Sequence, residues 1–152
     1  ARLVDEAAAL AQARGCAHVE LRHIGRRLPQ LPVRQHKVTM HLALVPPVWE
    51  GLDRKVRNQV RKAQKSGLTV DRGGLELVED FYSVFTRNMR DLGTPVYPRR
   101  LFEDVLRTFA DRAALHVVRL KGRPVAAGLT YRTGGTVEVP WASSVRDYNS
   151  MC

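Results

Sequence analysis

The sequence predicts an α+β fold, and three observations lead to that prediction. Residues 49–66 repeat apolar side chains at steps of three and four, which is typical of an amphipathic helix. Residues 75–92 repeat this pattern over a second stretch. Residues 114–143 contain three apolar segments separated by the turn sequences Lys121-Gly122 and Gly134-Gly135. Glycine turns between apolar segments indicate β-hairpins, so these segments are predicted to form an antiparallel meander.

The region before the first of these helices is predicted to contain one helix and two strands. The helix covers Leu3 to Arg14 and stops at Gly15, a residue type that commonly follows a helix. Strands are predicted at residues 17–22 and 37–45, and Pro46-Pro47 ends the second one. The chain is therefore expected to begin with a small unit of mixed helix and strand.

The remaining elements follow in a definite order. A strand is predicted at residues 68–71, a helix at 98–112 after the helix at 75–92, and strands at 114–120, 125–132 and 136–143. One strand, two helices and three antiparallel strands resemble the beginning of an N-acetyltransferase-type (GNAT) lobe. The earlier order of helix, strand and strand resembles the end of such a lobe.

Positive charge is concentrated in the first half of the chain. The formal net charge is +10, and residues 1–72 hold 14 basic and 6 acidic side chains. Six of these basic side chains, including Lys55, lie on the polar faces of the helix at residues 49–66. The candidate polyanion-binding residues are the other five: Arg54, Arg57, Arg61, Lys62 and Lys65. Such a surface binds polyanions or is simply solvated, and the sequence leaves both alternatives open.

Several classes of protein are excluded. No apolar run approaches the roughly 20 residues that cross a bilayer, and no secretory signal is present, so a cytoplasmic location is expected. Cys16 and Cys152 are too few and too far apart for a disulfide framework. Four of the five histidines form two pairs spaced five apart, His18 with His23 and His36 with His41. Because that spacing separates the members of each pair, no metal site is expected.

Three groups of residues resemble the FemAB family of peptidyl and acyl transferases. The first group resembles the helix that opens the second lobe in that family: Trp49, Leu52, Lys55, Arg57, Val60 to Ala63, Lys65 and Gly67-Leu68. The second group resembles the next helix, loop and helix: Met89, Arg90, Leu92-Gly93, Pro95, Pro98 and Phe102. The third group matches the meander: Gly122 to Ala127 and Pro140 to Ser144. The detailed sequence is most similar to FemAB-like proteins associated with exosortase and PEP-CTERM systems.

The resemblance implies a tandem fold of two GNAT-like lobes, of which this chain is an interior fragment. Residues 1–46 would end the first lobe, residues 47–67 would form a basic connecting helix, and residues 68–152 would begin the second lobe. The family's catalytic lysine would lie beyond Cys152, so no lysine of this sequence takes that role and the fragment is expected to be inactive alone.

The implied function is transfer of an acyl or aminoacyl group to an amine of a cell-envelope precursor or a related substrate. The donor would be an aminoacyl-tRNA or an acyl-CoA, the acceptor would be anionic, and no tightly bound cofactor is expected. Two alternatives remain open. The chain could be a polyanion- or nucleic-acid-binding module that uses the basic helix, or a catalytically silent FemAB-like scaffold.

The candidate site is predicted around Pro140, because a proline within a sheet usually marks an edge or a bulge that frees nearby N–H groups. Ala142 and Ser143 would present backbone donors to an oxyanion, and Gly128 is expected opposite Trp141. The candidate substrate-binding residues are Arg90, Tyr131, Trp141, Ser143 and Asn149. Arg90 suits an anionic acceptor, and its alternative role is to interact with the dipole of its helix.

Overall fold

The computed structural model describes residues 2–22, 28–34 and 39–151, in two compact units, Ala1–Val45 and Pro46–Cys152. In the first unit, helix α1 (Arg2–Ala13) confirms the predicted helix. The predicted strands at 17–22 and 37–45 are wrong over the described residues, which contain no strand there; positions 37–38 lie outside them. A strand forms only where a neighbour accepts its backbone hydrogen bonds, and none is present in the described part of this unit.

The predicted helix at residues 49–66 is two helices, α2 (Val48–Gly51) and α3 (Arg54–Lys65). The break falls at Leu52, which has extended backbone angles (φ −72°, ψ 144°). Asp53 then begins α3, because its side chain accepts a hydrogen bond of 2.7 Å from the Lys55 amide. A carboxylate in this position satisfies an amide that has no partner within the helix. Asp53 therefore starts a new helix instead of continuing the first.

The second unit is built on a four-stranded antiparallel sheet of strands β1 (Leu68–Gly73), β2 (Ala113–Leu120), β3 (Arg123–Thr133) and β4 (Thr136–Ser144). Its strand order is β1-β2-β3-β4, which confirms the predicted meander and the α+β fold. Between β1 and β2 lie a 3-10 turn (Leu75–Leu77) and the helices α4 (Val78–Asp91) and α5 (Arg99–Thr108). A second 3-10 helix (Arg146–Met151) follows β4.

Helix α5 ends four residues earlier than predicted. The carbonyl of Phe109 accepts hydrogen bonds from the amides of Arg112 (2.8 Å) and Ala113 (2.7 Å), which forms a tight turn into β2. This turn replaces the last predicted turn of helix.

The core lies between one face of the sheet and the helices α4 and α5. Its largest fully buried side chains are Phe81, Phe102, Leu115, Leu129, Val84 and Val117. On β2 and β3, buried residues alternate with half-buried ones, so the second face of the sheet is only partly covered in the described chain. The sheet therefore has one core face and one more exposed face.

An ion cluster ties α4 to the sheet. The Arg119 guanidinium donates to Asp80 on α4 at 2.5 Å and to Asp71 on β1 at 2.6 Å. These hydrogen bonds, first to Asp80 and then to Asp71, raise the pKa of Arg119. The cluster joins α4, β1 and β2 at the rim of the core.

Candidate active site

Pro140 interrupts the regular pairing of β3 with β4. The register shifts by one residue between two flanking pairs, Leu129 with Trp141 and Tyr131 with Glu138. Val139 and Pro140 therefore both oppose Thr130, which is a β-bulge. Strand β4 is also one of the two edge strands of the sheet in the part of the chain that the structure describes. Both expectations for Pro140, an edge and a bulge, are confirmed.

The ladder after the bulge determines which amides face the free edge. The Val145 amide donates to the Val125 carbonyl at 2.8 Å, so these two residues form a hydrogen-bonded pair. Hydrogen-bonded and non-hydrogen-bonded pairs alternate along antiparallel strands. The Ser143 amide therefore points towards β3, whereas the Ala142 amide points towards the free edge of β4. Of the two predicted backbone donors, Ala142 is the one that the ladder leaves available.

Gly128 faces Ala142 and not Trp141, so that prediction is wrong by one residue. Regular pairing from the two-residue turn Gly134-Gly135 would place Trp141 opposite Gly128. The bulge adds one residue to β4, so Ala142 takes that position instead. A Cβ atom at Gly128 would lie 3.7 Å from the Ala142 Cβ and 3.4 Å from the Trp141 carbonyl oxygen. Gly128 therefore permits close approach of the two strands beside Ala142.

Trp141 and Ser143 lie on the helix-facing side of β4. The Trp141 ring meets the Phe102 ring edge-on with centroids 5.3 Å apart. Ser143 is 7% exposed, and its Oγ accepts a hydrogen bond of 3.2 Å from Nδ2 of Asn88. Sequence reasoning missed Asn88, although it stands seven residues after Phe81 on the buried stripe of α4. A polar residue on an apolar stripe was the available signal.

The other predicted substrate-binding residues are more widely spread. Tyr131 packs edge-on against Phe109, with ring centroids 5.1 Å apart. Asn149 lies in the 3-10 helix after β4, where its Oδ1 accepts a hydrogen bond of 3.0 Å from the Ser144 hydroxyl. Arg90 lies in the last turn of α4 with 75% of its side chain exposed, and contacts Asp91 at 3.5 Å. Trp141 and Ser143 therefore lie on the same face of β4, whereas Tyr131, Asn149 and Arg90 lie in other parts of the domain.

Three of the five predicted polyanion-binding residues contact the protein itself. Arg57 Nη1 donates to the Glu50 carbonyl at 3.3 Å, and the Arg61 guanidinium lies 5.6 Å from the Trp49 ring centroid. Lys62 Nζ donates to the Ser150 carbonyl at 2.7 Å. Arg54 and Lys65 are exposed. Much of the positive face of α3 therefore has structural contacts.

Residues 52–151 match the model of the acetyltransferase (GNAT) domain family. The chain belongs to that family. The match covers all four strands and the helices α3, α4 and α5, so the GNAT fold predicted from the order of elements is confirmed. It also places the bulge at Pro140 and the amide of Ala142 inside the GNAT domain.

Three solved structures are similar to parts of this chain. The crystal structure of FemX is similar with a TM-score of 0.61 and 13% identity, covering 69% of this chain and 43% of that one. Two further similar structures have TM-scores of 0.42. A probable acetyltransferase is 15% identical (52% and 58% covered), and a ribosomal-protein-alanine N-acetyltransferase from Brucella melitensis biovar Abortus 2308 is 14% identical (54% and 59% covered).

The GNAT chain spans less than half the length of FemX, and at 13% identity the likeness shows the fold alone. A comparison with curated protein sequences gives no match. No helix in the described residues has the length and apolar character needed to cross a membrane.

Proposed function

We propose that this GNAT domain takes part in transfer of an acyl or aminoacyl group to an amine, as in the FemAB-like transferases that its motifs resemble. The observation that carries the proposal is the bulge at Pro140, after which the Ala142 amide points towards the free edge of β4. Fixed backbone donors beside an open edge suit a reaction in which negative charge develops on a carbonyl oxygen.

Aminolysis of an ester or thioester requires only a few contributions from the protein. The neutral amine attacks the carbonyl carbon, and a tetrahedral oxyanion forms. The carbonyl double bond then re-forms as the bond to the leaving oxygen or sulfur breaks, and the proton lost by the amine passes, directly or through water, to the leaving group, which departs as an alcohol or thiol. Placing the two reactants together and stabilising the oxyanion supply most of the acceleration, and no protein nucleophile is needed. In this proposal the Ala142 amide donates to the oxyanion, and the Ser143 hydroxyl, oriented by Asn88, lies on the other side of the same strand.

The finer assignments are also proposals. An acyl-CoA is the donor suggested by the GNAT family, and an aminoacyl-tRNA is the donor suggested by the FemAB-like motifs. A cell-envelope precursor, and a place in an exosortase and PEP-CTERM system, rest on the same motifs. In the proposed arrangement of residues 1–46, 47–67 and 68–152 as lobe end, connecting helix and second lobe, the first boundary is supported by the division between compact units at Val45 and Pro46. Residues 47–67 lie in the same compact unit as residues 68–152.

The choice of donor can be tested directly with the protein that carries this chain. It would be incubated with amine acceptors and either labelled acyl-CoA or labelled aminoacyl-tRNA, and the amide product would be measured. We expect one donor class to give the amide product and the other to give little or none. Absence of product with both classes would favour the silent scaffold and contradict the proposal.

Arg90 is proposed to contact an anionic group of the acceptor. Its side chain is 75% exposed at the end of α4. A guanidinium binds a phosphate or carboxylate with two parallel hydrogen bonds, so this side chain suits an anionic group. Arg90→Ala is expected to raise the KM for the acceptor while changing the free energy of unfolding by less than about 0.5 kcal/mol. Steady-state kinetics and urea unfolding measure the two quantities.

The matched control for Arg90 is Arg100→Ala on α5. Arg100 is also exposed (85%) and has a similar ion pair, 3.4 Å from Asp104. The control should leave the KM unchanged. If Arg90→Ala loses stability with normal kinetics, Arg90 only interacts with the helix terminus and is not part of the site.

A further inference from the structure

A cleft of about 450 Å³ lies at one end of the sheet, on the face that points away from the core. Leu115 and Val117 of β2 point into the core, so His116 between them points to the opposite face. The side chains that matter for binding are Arg72, Asp111, Arg112, His116, Thr130 and Arg132. They come from β1, the turn before β2, β2 itself and β3. Sequence reasoning assigned no role to this cluster.

The cleft has an excess of positive charge. Three guanidinium groups line it, and its one carboxylate, Asp111, contacts the Nε of Arg112 at 3.3 Å. The Arg132 guanidinium has five N–H donors, and one of them, on Nη2, donates to the Asp111 carbonyl at 3.3 Å. Within the described chain, the Arg72 guanidinium has no hydrogen-bond or ion-pair partner. Donors of Arg72 and Arg132 therefore remain available to a ligand.

His116 adds a polar group beside these arginines. Its Nε2 lies 3.1 Å from the Thr130 hydroxyl oxygen, which is also 3.3 Å from the Ala114 carbonyl. The hydroxyl has one proton, and when it donates to Ala114, His116 donates through Nε2 and keeps Nδ1 free. Burial, followed by the charge of Arg72, lowers the pKa of His116. An anion in the cleft would counter the charge of Arg72 and raise that pKa.

We propose that this cleft binds a phosphate group, either as free phosphate or as the phosphorylated end of a small molecule. The planar guanidinium groups of Arg72 on β1 and Arg132 on β3 offer paired donors that match phosphate oxygens. His116 lies opposite Arg72 in the strand pairing, and Thr130, which His116 contacts, lies two residues before Arg132 on β3. The cleft volume is in the range of small-molecule sites, and Val137 and Ala114 supply apolar surface beside the charged groups. The cleft lies on the face of the sheet opposite the one that carries Trp141 and Ser143.

The binding test follows the ring signals of His116 by NMR, with His116→Gln used to assign them. The probes are inorganic phosphate and methyl phosphate, with acetate as a carboxylate control. We expect both phosphates to raise the His116 pKa and acetate to have a much smaller effect. Tighter binding of inorganic phosphate would indicate the free ion as ligand, and tighter binding of methyl phosphate would indicate a phosphorylated molecule. If neither phosphate shifts these signals at millimolar concentration, the proposal is wrong.

Two variants test the arginines separately. Arg72→Gln and Arg132→Gln should each weaken phosphate binding at least about tenfold, because each removes a charged hydrogen-bond donor. Arg123→Gln removes the same charge from the other end of β3 and should change the affinity less than about twofold. Thermal unfolding checks that all three proteins are folded. Equal weakening in all three would mean general attraction to a basic protein and would overturn the proposal.

Discussion

Replacing Ala142 with proline is expected to lower kcat for acyl transfer by about 10²–10³-fold, the loss typical of removing one oxyanion donor. Proline has no amide hydrogen, so the substitution removes the donor that faces the free edge of β4. The assay is turnover by the protein that carries this chain, with whichever donor class proves active. The prediction depends on the proposed function, since it assumes that the reacting carbonyl lies beside β4.

The fold should tolerate this substitution. The ladder to β3 uses the amides of Ser143 and Val145, and the Ala142 amide takes no part in it. Pro140, two residues earlier, already occupies this edge strand, where prolines are tolerated. Ala142→Ser keeps the amide and is the matched control, with activity expected near that of the unchanged protein. Equal losses in both variants would indicate a role for the side chain, and normal turnover in Ala142→Pro would remove the amide from the mechanism.

The sequence predicted the elements of the sheet well because hairpins are local. Lys121-Gly122 and Gly134-Gly135 lie between strongly apolar segments, so turn chemistry and strand pattern agree. The bulge was harder to place. Pro140 indicated a bulge or an edge, but nothing local indicates whether the extra residue lies before or after it, and that choice alone decides whether Gly128 faces Trp141 or Ala142.

The failed strand predictions have a different cause. Residues 39–45 contain strand-favouring side chains, yet Met40 and Val45 are 87% and 72% exposed, and the described residues of this unit form no strand. Strand propensity describes fit to a pleated, partly buried surface, so it has no effect without that surface.

The candidate site was predictable only in part, because its contacts join distant residues. Asn88 and Ser143 are 55 positions apart, and His116 meets Arg72 through the pairing of β1 with β2. A single sequence shows that each of these side chains is polar, but the strand register brings them together. The amide that faces the free edge of β4 was predictable to within two residues, since Pro140 identified the segment and the ladder then distinguished Ala142 from Ser143.

Replacing Phe102 with alanine is expected to lower the free energy of unfolding by about 3–5 kcal/mol. Phe102 is fully buried, and its ring lies 4.9 Å from Phe81, 5.1 Å from Phe85 and 5.3 Å from Trp141. Truncation would leave a cavity under three aromatic rings on two other elements, α4 and β4, which cannot all move to fill it. Urea unfolding followed by circular dichroism measures the loss.

The matched control for Phe102 is Phe109→Ala, because Phe109 is 36% exposed and pairs mainly with Tyr131. Phe109→Ala should lower the free energy of unfolding by clearly less than Phe102→Ala. A ring that is already partly in contact with water has less buried surface to lose, and its removal leaves a smaller cavity. Trp141 links this prediction to the candidate site, because losing Phe102 removes the ring that packs against its indole. Trp141 fluorescence should therefore change in the folded Phe102→Ala protein. It should stay unchanged in Phe109→Ala. A cost below about 1 kcal/mol for Phe102→Ala would mean that α5 does not hold β4 through this ring.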